Sequence, residues 1–289
     1  MDTNPEPTNT FSGTGSITLV PAGGLGNRMK AIAAALRLAE SCGSRLRVVW
    51  FKDWGLGCRF DQLFQPISHD RLTMREATLA DQIVDDRPRR RNLFLPRLFL
   101  SLRYDRRMDE AGTTHAMNTG FDFDSWARGR RVWMSSNVYF LAKEIPDDAF
   151  DLFRPTPQLQ ARIDEVAAQL GPNAVGVHIR RTDNARSIVC SPTELFVERM
   201  RREPADTQFY VASDDEDVKA QLRREFPGRV TTLPRQAERG TLAGMEDGVV
   251  EMYVLARCRR LLGSSCSTYS MTAASLGRTP LEIIERRQP

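Results

Sequence analysis

The stretch "AVGVHIRRTDN", residues 174–184, places a short apolar run directly before a cluster of charges. Its branched apolar residues predict a buried β-strand. Successive side chains of a strand point to opposite faces, so Gly176, His178 and Arg180 share one face while the valines and the isoleucine share the other. We therefore expect His178 and Arg180 to reach a common ligand at the end of this strand.

Strands and helices alternate regularly after this stretch. A helix with a capping box formed by Ser191 and Glu194 is expected to follow it. Further apolar strands, each separated from the next by a helical pattern, are predicted at "QFYVAS" (residues 208–213), "RVTTLP" (229–234), "RLLGS" (260–264) and "LEIIE" (281–285). This order is typical of a doubly wound α/β domain with a parallel sheet.

The beginning of the chain shows the same alternation of strands and helices. An apolar run at residues 17–20 is followed by the glycine-rich turn "PAGGLGNRM", by a helical pattern and by the apolar run "LRVVWF" at residues 46–51. Together they predict a β-α-β unit of a second parallel sheet. Between residues 53 and 150 the pattern is weaker, and the basic, apolar-interleaved stretch from Arg87 to Arg107 is assigned to no element.

Composition limits the function. The 289 residues carry 41 basic and 37 acidic side chains, a mild net charge of +4 that permits anionic ligands without indicating nucleic acid. Five cysteines without a CxxC pair and three scattered histidines predict neither a metal site nor a disulfide framework. Because no signal peptide or membrane span is recognisable, we expect a cytoplasmic protein with reduced thiols. The sequence indicates no oligomeric state.

Polar or glycine-rich clusters follow four of the predicted strands. Ligands of open α/β sheets bind outside the carboxyl ends of the strands, where helix N-termini also favour anions. The clusters are Gly23 to Arg28, Arg180 to Asp183, Ser213 to Asp215, and Gly263 to Thr268. Arginine suits a diphosphate because its planar fork donates paired hydrogen bonds. A carboxylate such as Glu251 could accept from a base or a ribose, so the set predicts a nucleoside diphosphate site without a metal.

Each cluster also has a structural interpretation. The two arginines could form a solvated rim or a salt bridge with Asp183, and Asp214 and Asp215 could be helix caps. The turn "GGLGNRM" is weakly specific because Met29 stands where a dinucleotide fingerprint has its third glycine. His178 alone is more typical of a core histidine. Only the coincidence of these residues at strand ends favours a ligand site.

The motifs resemble those of the GDP-fucose-dependent fucosyltransferase superfamily, which comprises α1,2, α1,6 and protein O-fucosyltransferases. "VGVHIRRTDN" is similar to the H-x-R-R-T-D motif of the α1,6 branch, which the chain resembles most. "FYVASDD", "VVEMYVLARCRRLLGSSCST" and the glycine loop "GGLGN" resemble further motifs of the superfamily. The likeness covers the C-terminal half well and about 40 residues of the N-terminal half.

This resemblance implies a GT-B fold, an α/β architecture of two facing Rossmann-like domains. After a disordered tail at residues 1–16, we expect an acceptor-side domain at residues 17–156 and a GDP-sugar-binding domain at residues 157–289. The implied reaction is an inverting, metal-independent transfer of L-fucose from GDP-fucose to a saccharide or glycoconjugate, with no cofactor.

The resemblance also implies roles for individual residues. Arg180, Asp183 and Asn27 would be catalytic: Arg180 would bind the diphosphate, Asp183 would support the site and Asn27 would approach the sugar. Glu251 would take the place of the superfamily's guanine-reading aspartate. The remaining donor-binding positions are Gly24, Gly26, His178, Arg181, Asp214, Asp215, Ser265, Ser267 and Thr268.

Two departures from the α1,6 branch concern the site. Glu251 is longer than the aspartate of the family, which alters its reach. Asn184 and Ile188 stand where the core-glycan enzymes have a lysine and a glutamate, so the acceptor base of that branch is missing. Asp183, Asp53 or another acid of the N-terminal domain could take the proton, or stabilisation of the leaving group by Arg180 could dominate.

Three other interpretations stay open at this point. Gly24, Gly26 and Asp53 could form the site of a nucleotide-dependent oxidoreductase. The protein could also be a non-catalytic binder of a nucleotide or a polyanion. The stretch from Arg87 to Arg107 could be a solvated face, or it could make peripheral contact with an anionic inner membrane or a polyanion.

Overall fold

The structure of the chain, a computed structural model, describes residues 15–88, 94–142, 144–182, 185–234 and 240–286. The tail predicted at residues 1–16 falls outside this set except for its last two residues. Arg89 to Leu93 of the basic stretch and Asp183, the predicted catalytic acid, also lie outside the described residues.

The N-terminal half contains a five-stranded sheet in the order β3-β2-β1-β5-β4, and all its strand pairs are parallel. Its strands are β1 (Ser16–Pro21), β2 (Arg45–Trp50), β3 (Leu72–Glu76), β4 (Arg106–Met108) and β5 (Arg131–Ser136). Its helices are α1 (Leu25–Ser41), α2 (Leu79–Val84), α3 (Leu95–Arg103), α4 (Glu110–Asn118) and α5 (Phe123–Ala127), with a short 3₁₀ helix at Phe60–Gln62.

The C-terminal half contains a second parallel sheet of five strands in the order β10-β9-β6-β7-β8. Its strands are β6 (Val175–Ile179), β7 (Phe209–Ser213), β8 (Val230–Thr231), β9 (Arg260–Ser264) and β10 (Leu281–Ile284). Its helices are α6 (Pro157–Ala168), α7 (Ala185–Cys190), α8 (Thr193–Arg201), α9 (Glu216–Glu225), α10 (Leu242–Leu255) and α11 (Thr268–Gly277).

The predicted α/β architecture is therefore confirmed in both halves. Strands β3 and β4 were not predicted from the sequence. Both are half exposed and carry charged side chains, so neither contains an apolar run. The capping box predicted at Ser191 is wrong. Helix α8 begins after Pro192 without a side-chain cap, and the Ser191 hydroxyl instead accepts a hydrogen bond from the backbone N–H of Ser265 at 2.8 Å.

Helix α1 packs against both halves of the molecule. The sequence predicts one apolar face, yet α1 is buried on nearly all sides because it packs against β1 on one side and against α11 of the other half. Its nine small or aliphatic residues from Met29 to Ala39 allow this double packing. One apolar core contains buried residues of both halves, from Ile17 to Ala274.

The domain boundary expected between residues 156 and 157 stays a prediction. Helix α6, which begins there, packs against α10 of the C-terminal half. No helix in the described part of the chain is both long and apolar enough to cross a membrane.

Candidate active site

A cavity of about 400 Å³ lies where the carboxyl ends of the strands of the two sheets face each other. It brings together all four strand-end clusters that the sequence singled out. Its walls are formed by Gly24, Leu25, Gly26, Asn27, His178, Arg180, Thr182, Ser213, Asp214, Gly244, Met245, Gly248, Glu251, Thr268 and Tyr269. Its position is the one expected for a ligand site of parallel α/β sheets.

Arg180 follows β6 directly and its side chain lines the cavity. Its backbone N–H donates to the hydroxyl of Ser264 at 3.1 Å, which ties the end of β6 to the end of β9. The guanidinium is thereby carried by two adjacent strands of the sheet centre. A cation held in this way suits the charge of a diphosphate.

Arg181 points away from the cavity. Its guanidinium donates to the carbonyl of Ser191 at 2.9 Å, to the hydroxyl of Thr193 at 2.8 Å and to the carbonyl of Arg180 at 2.8 Å. Burial lowers the pKa of this guanidinium. Arg181 was predicted to bind the donor, but it does not line the cavity. Its contacts instead fix the backbone that carries Arg180.

Asp214, at the end of β7, secures the same loop. Its carboxylate accepts from the backbone N–H of Arg181 at 2.6 Å and from the hydroxyl of Thr182 at 2.7 Å. Burial opposes ionisation, but the hydrogen bonds from Thr182 and Arg181 outweigh it and hold the pKa of Asp214 below its ordinary value. The carboxylate stays charged at the cavity wall and keeps Arg180 and Thr182 in register.

His178 lies beneath the cavity between β6 and α11. Its Nδ1 is 2.8 Å from the hydroxyl of Ser270 and 3.4 Å from that of Ser267. The imidazole stacks on the ring of Tyr269 with 4.7 Å between centroids, and the Tyr269 hydroxyl donates to the carbonyl of Gly248 on α10. Ser267 therefore contacts the site through His178 and is itself absent from the cavity wall.

Glu251 is a buried carboxyl group at the cavity wall, 4% exposed. Burial raises its pKa to about 8, a shift that the buried ammonium of Lys219, 3.8 Å from Oε1, only partly offsets. Oε1 has no hydrogen-bond partner among the described residues. A buried carboxyl oxygen without a partner is costly, and a ligand with N–H donors would satisfy it.

The glycine turn forms the opposite wall. Gly24 is the N-cap of α1, and Asn27 lies in the first turn with its Oδ1 buried and without a partner in the described part of the chain. The Thr268 end of α11 also lines the cavity, and neither helix has an acidic residue in its first turn. The two helix N-termini therefore present positive dipole ends to one space.

Gly26 allows the two helices to approach this closely. A β-carbon at this position would lie 2.7 Å from the hydroxyl oxygen of Thr272 on α11 and 3.4 Å from its Cβ. The Thr272 hydroxyl donates to the carbonyl of Thr268, so it cannot easily move aside. Gly26 of the glycine loop therefore lines the cavity and also allows the two halves to pack closely.

Two further predicted donor-binding residues lie outside the cavity wall. Asp215 is the N-cap of α9, where its carboxylate accepts from the backbone N–H groups of Asp217 at 2.8 Å and Val218 at 3.3 Å. These are the contacts of a helix cap, which is the structural alternative that the sequence offered for Asp215. The backbone N–H of Ser265 donates to Ser191, and its hydroxyl lies near the sulfur of Cys266.

Asp53, considered from sequence as a base or as part of an oxidoreductase site, is held by arginines. Its Oδ1 accepts from the guanidinium of Arg28 at 2.8 Å and from the backbone N–H of Gly55 at 2.9 Å, while its Oδ2 accepts from Arg87 at 3.0 Å. Both oxygens are engaged and the side chain is buried. Asp53 therefore serves to pair the buried Arg28, and it does not line the cavity.

Several residues of the cavity wall carry no signal in the sequence. Tyr269, Met245, Gly244 and Gly248 carry no motif of their own, because they come from the helices α10 and α11 rather than from strand ends. Position alone could have indicated Tyr269, since it follows Thr268 at the start of α11. Within the residues that the structure describes, no group of three or more histidine, cysteine, aspartate or glutamate side chains could hold a metal ion.

The fold and the position of the cavity define a GT-B architecture, two facing Rossmann-like halves with a ligand cavity between their strand ends. The chain is similar to the fucosyltransferase NodZ from Bradyrhizobium, with 17% identity, a TM-score of 0.62 and coverage of 89% of this chain and 92% of that one. Another NodZ structure, described as an α1,6-fucosyltransferase soaked with GDP-fucose, has a TM-score of 0.61.

Two other fucosyltransferase structures share the fold. A mutant of Arabidopsis thaliana FUT1 in complex with GDP is 14% identical, with a TM-score of 0.61 and coverage of 100% of this chain and 72% of that one. The apo form of POFUT1 is 11% identical, with a TM-score of 0.61 and coverage of 96% and 99%. No protein-family model matches the sequence, and a comparison with curated proteins finds no match. At these identities the comparisons establish the fold.

Proposed function

We propose that this chain is a glycosyltransferase that moves L-fucose from GDP-β-L-fucose to a hydroxyl group of a saccharide or glycoconjugate. The observation that carries the proposal is a single cavity in which Arg180, two helix N-termini and the buried carboxyl group of Glu251 face one space. A nucleoside diphosphate sugar offers a group for each of them. The fold shared with NodZ, whose structure was soaked with GDP-fucose, supports the same donor.

In this proposal the diphosphate lies between Arg180 and the start of α11. Arg180 donates to the phosphate oxygens, and the N-terminus of α11 at Thr268 contributes backbone N–H groups and the positive end of its dipole. These groups stabilise the negative charge that builds up on GDP as it leaves. We propose that they do so without a metal ion.

Glu251 reads the base in this proposal. Its ionised carboxylate accepts from the N1–H and N2–H groups of guanine, which gives Oε1 the partner that it lacks in the described chain. Uracil and adenine do not present this pair of donors. His178, stacked on Tyr269, forms the floor beneath the nucleotide.

The transfer step follows from this arrangement. The acceptor oxygen attacks C1 of fucose from the face opposite the diphosphate while the bond between C1 and the β-phosphate oxygen breaks, so the β-linked donor gives an α-linked product. The bonding electrons leave with GDP, and the acceptor hydroxyl loses its proton. Asn27 Oδ1 accepts a hydrogen bond from that hydroxyl, and Asp183 stays the candidate for the proton acceptor.

We also propose that the basic stretch makes peripheral contact with an anionic membrane. On α3 and the residue before it, Phe94, Leu95, Leu98 and Leu102 are exposed, Phe94 by 84% and Leu102 by 69%. Arg97 and Arg103 lie on the same helix, which has no acidic residue. The nearby Asp81 and Asp85 are buried and pair with Arg47, Arg75 and Arg103, so positive side chains outnumber negative ones around α3. A cytoplasmic location stays a prediction.

Replacement of Arg180 tests the proposed function. Arg180→Ala is expected to lower kcat about a hundred- to thousand-fold, which corresponds to about 3 to 4 kcal/mol of transition-state stabilisation. The assay follows labelled fucose from GDP-fucose into a polysaccharide extract, with donor hydrolysis as the acceptor-free readout, in the presence and absence of a chelator. Arg223→Ala, which removes an exposed arginine of α9, is the matched control. Substantial residual transfer by a folded Arg180→Ala variant contradicts the assigned role.

A further inference from the structure

A second cavity of about 390 Å³ adjoins the first. Asn27 and Thr268 line both cavities. These two residues therefore lie at the boundary between the first cavity, which contains Arg180, and the second. The remaining wall comes from α1, from Met117 of α4, from the loop after β5 and from Met271 of α11. If a sugar donor fills the first cavity with its sugar toward Asn27, the second cavity lies where an acceptor would enter.

Among the described residues that line this second cavity, Lys30 is the charged one. It lies three residues after Asn27, on the same face of α1, and is only 5% exposed. Burial is the sole cause that lowers its pKa, to about 8, so the amine is still mostly protonated at neutral pH. No hydrogen bond or ion pair joins it to another residue in the described ranges.

The other walls of this cavity leave the charge of Lys30 unbalanced. Asn137 and Tyr139 contribute neutral polar groups, and most of the remaining lining is apolar. None of the described residues that line the cavity is acidic. A buried ammonium without a counter-charge costs free energy, and an anion that enters the cavity would recover it.

We propose that the second cavity is an acceptor subsite for a saccharide that bears an anionic group, the carboxylate of a uronic acid or a phosphate ester, held against Lys30. This inference rests on the proposed function, because the subsite is defined by its position next to the sugar end of the donor. Lys30 binds the anionic group, and Asn27 receives the hydroxyl that is to be fucosylated. The subsite therefore selects acidic acceptors over neutral ones.

The test is a glycan array that presents matched pairs of saccharides, each hexose beside the corresponding uronic acid and the corresponding phosphate ester. The whole 289-residue chain is applied with saturating GDP. We expect retention on acidic members at least about tenfold above their neutral partners, and the uronic acid and phosphate arms separate the two sources of negative charge. Equal retention on neutral and acidic members overturns the proposal.

Variants connect this selectivity to Lys30. Lys30→Met is expected to abolish the preference for acidic members, and Lys30→Arg to preserve part of it. Met271→Glu offers a second route, because it adds a carboxylate to the wall at a position that is 44% exposed and hence tolerant of substitution. This carboxylate is expected to neutralise Lys30 and to abolish the preference as well.

Two controls make the outcome decisive. Lys52→Met removes an exposed lysine outside both cavities and should leave the preference intact. Calorimetric titration of GDP into each variant reports whether the first cavity is still folded. A preference that survives both Lys30→Met and Met271→Glu overturns the proposal. If GDP fails to bind the unmodified chain while acidic saccharides are still selected, the proposed donor is wrong and the anionic subsite stands.

Discussion

Two adjacent arginines of one motif have different tasks because they follow a strand. Arg180 continues the face of β6 that carries His178 and lines the cavity, whereas Arg181 turns the other way and binds Ser191 and Thr193. The alternation of side chains in an extended chain enforces this division. Arg181 therefore acts by positioning the backbone of Arg180.

At the scale of single residues, Glu251 predicts a pH dependence of GDP affinity. Its pKa of about 8 means that the carboxyl group is mostly protonated at pH 7, whereas two N–H donors of guanine favour the ionised form. Binding of GDP should therefore release up to one proton. The affinity is expected to rise with pH by up to about tenfold per unit below pH 8 and to level off above it.

Calorimetric titration between pH 6 and pH 9 measures this slope. Glu251→Gln is the matched variant, because its amide does not titrate while GDP carries the same ionisable phosphate in both series. We expect the slope attributable to the protein to vanish in this variant. A slope that is the same in both proteins would show that Glu251 does not bind the base in its ionised form.

At the scale of elements, the close approach of α1 and α11 predicts a strong effect of a single methyl group. Gly26→Ala would place a β-carbon 2.7 Å from the Thr272 hydroxyl oxygen, so the two helices must separate. Overpacking of this kind typically costs about 1 to 3 kcal/mol of unfolding free energy. Chemical denaturation should report this loss, and GDP affinity should fall because both helix N-termini line the cavity.

A double-mutant cycle identifies the cause of that effect. Thr272→Ala removes the oxygen that the new methyl group would meet, so it should restore part of the stability of Gly26→Ala. Gly171→Ala, at a glycine with nothing within 4 Å of the added β-carbon, should change stability by little. Simple additivity of Gly26→Ala and Thr272→Ala would mean that the two helices are not in contact as described.

The exposed face of α3 predicts binding to anionic lipid vesicles. Leu98→Glu together with Leu102→Glu replaces two exposed leucines by carboxylates and should abolish co-sedimentation with phosphatidylglycerol vesicles. Neutral phosphatidylcholine vesicles should retain little protein, and added salt should weaken binding to the anionic ones. Retention that the double variant leaves unchanged would assign α3 to a solvated face instead.

At the scale of the whole molecule, the C-terminal half of the sequence predicted the fold class and the strand ends that line the cavity. Three of its five strands there, β6, β7 and β9, are buried apolar runs, and a buried parallel strand is the element that sequence patterns indicate most directly. The polar residues at their ends converge because parallel strands end at one edge. The glycine turn after β1 could be assigned for the same reason.

The rest depends on packing that no local pattern records. β3 and β4 are half-exposed edge strands, so they lack an apolar run, and α2 to α5 are short. Tyr269 and Met245 reach the cavity only because α10 and α11 pack against each other. Ser191 has a capping-box spacing, but its hydroxyl is taken by Ser265, a tertiary contact that overrides the local signal.

The central claim, that the cavity between the two sheets is a GDP-sugar site, is tested most directly by isothermal titration of the full chain with GDP, UDP and ADP at pH 8. Because guanine offers Glu251 an adjacent pair of N–H donors that uracil and adenine lack, we expect GDP to bind at least about tenfold more tightly than either competitor, and Glu251→Gln to remove most of this difference. Equal or tighter binding of UDP or ADP to the unmodified chain would contradict the account.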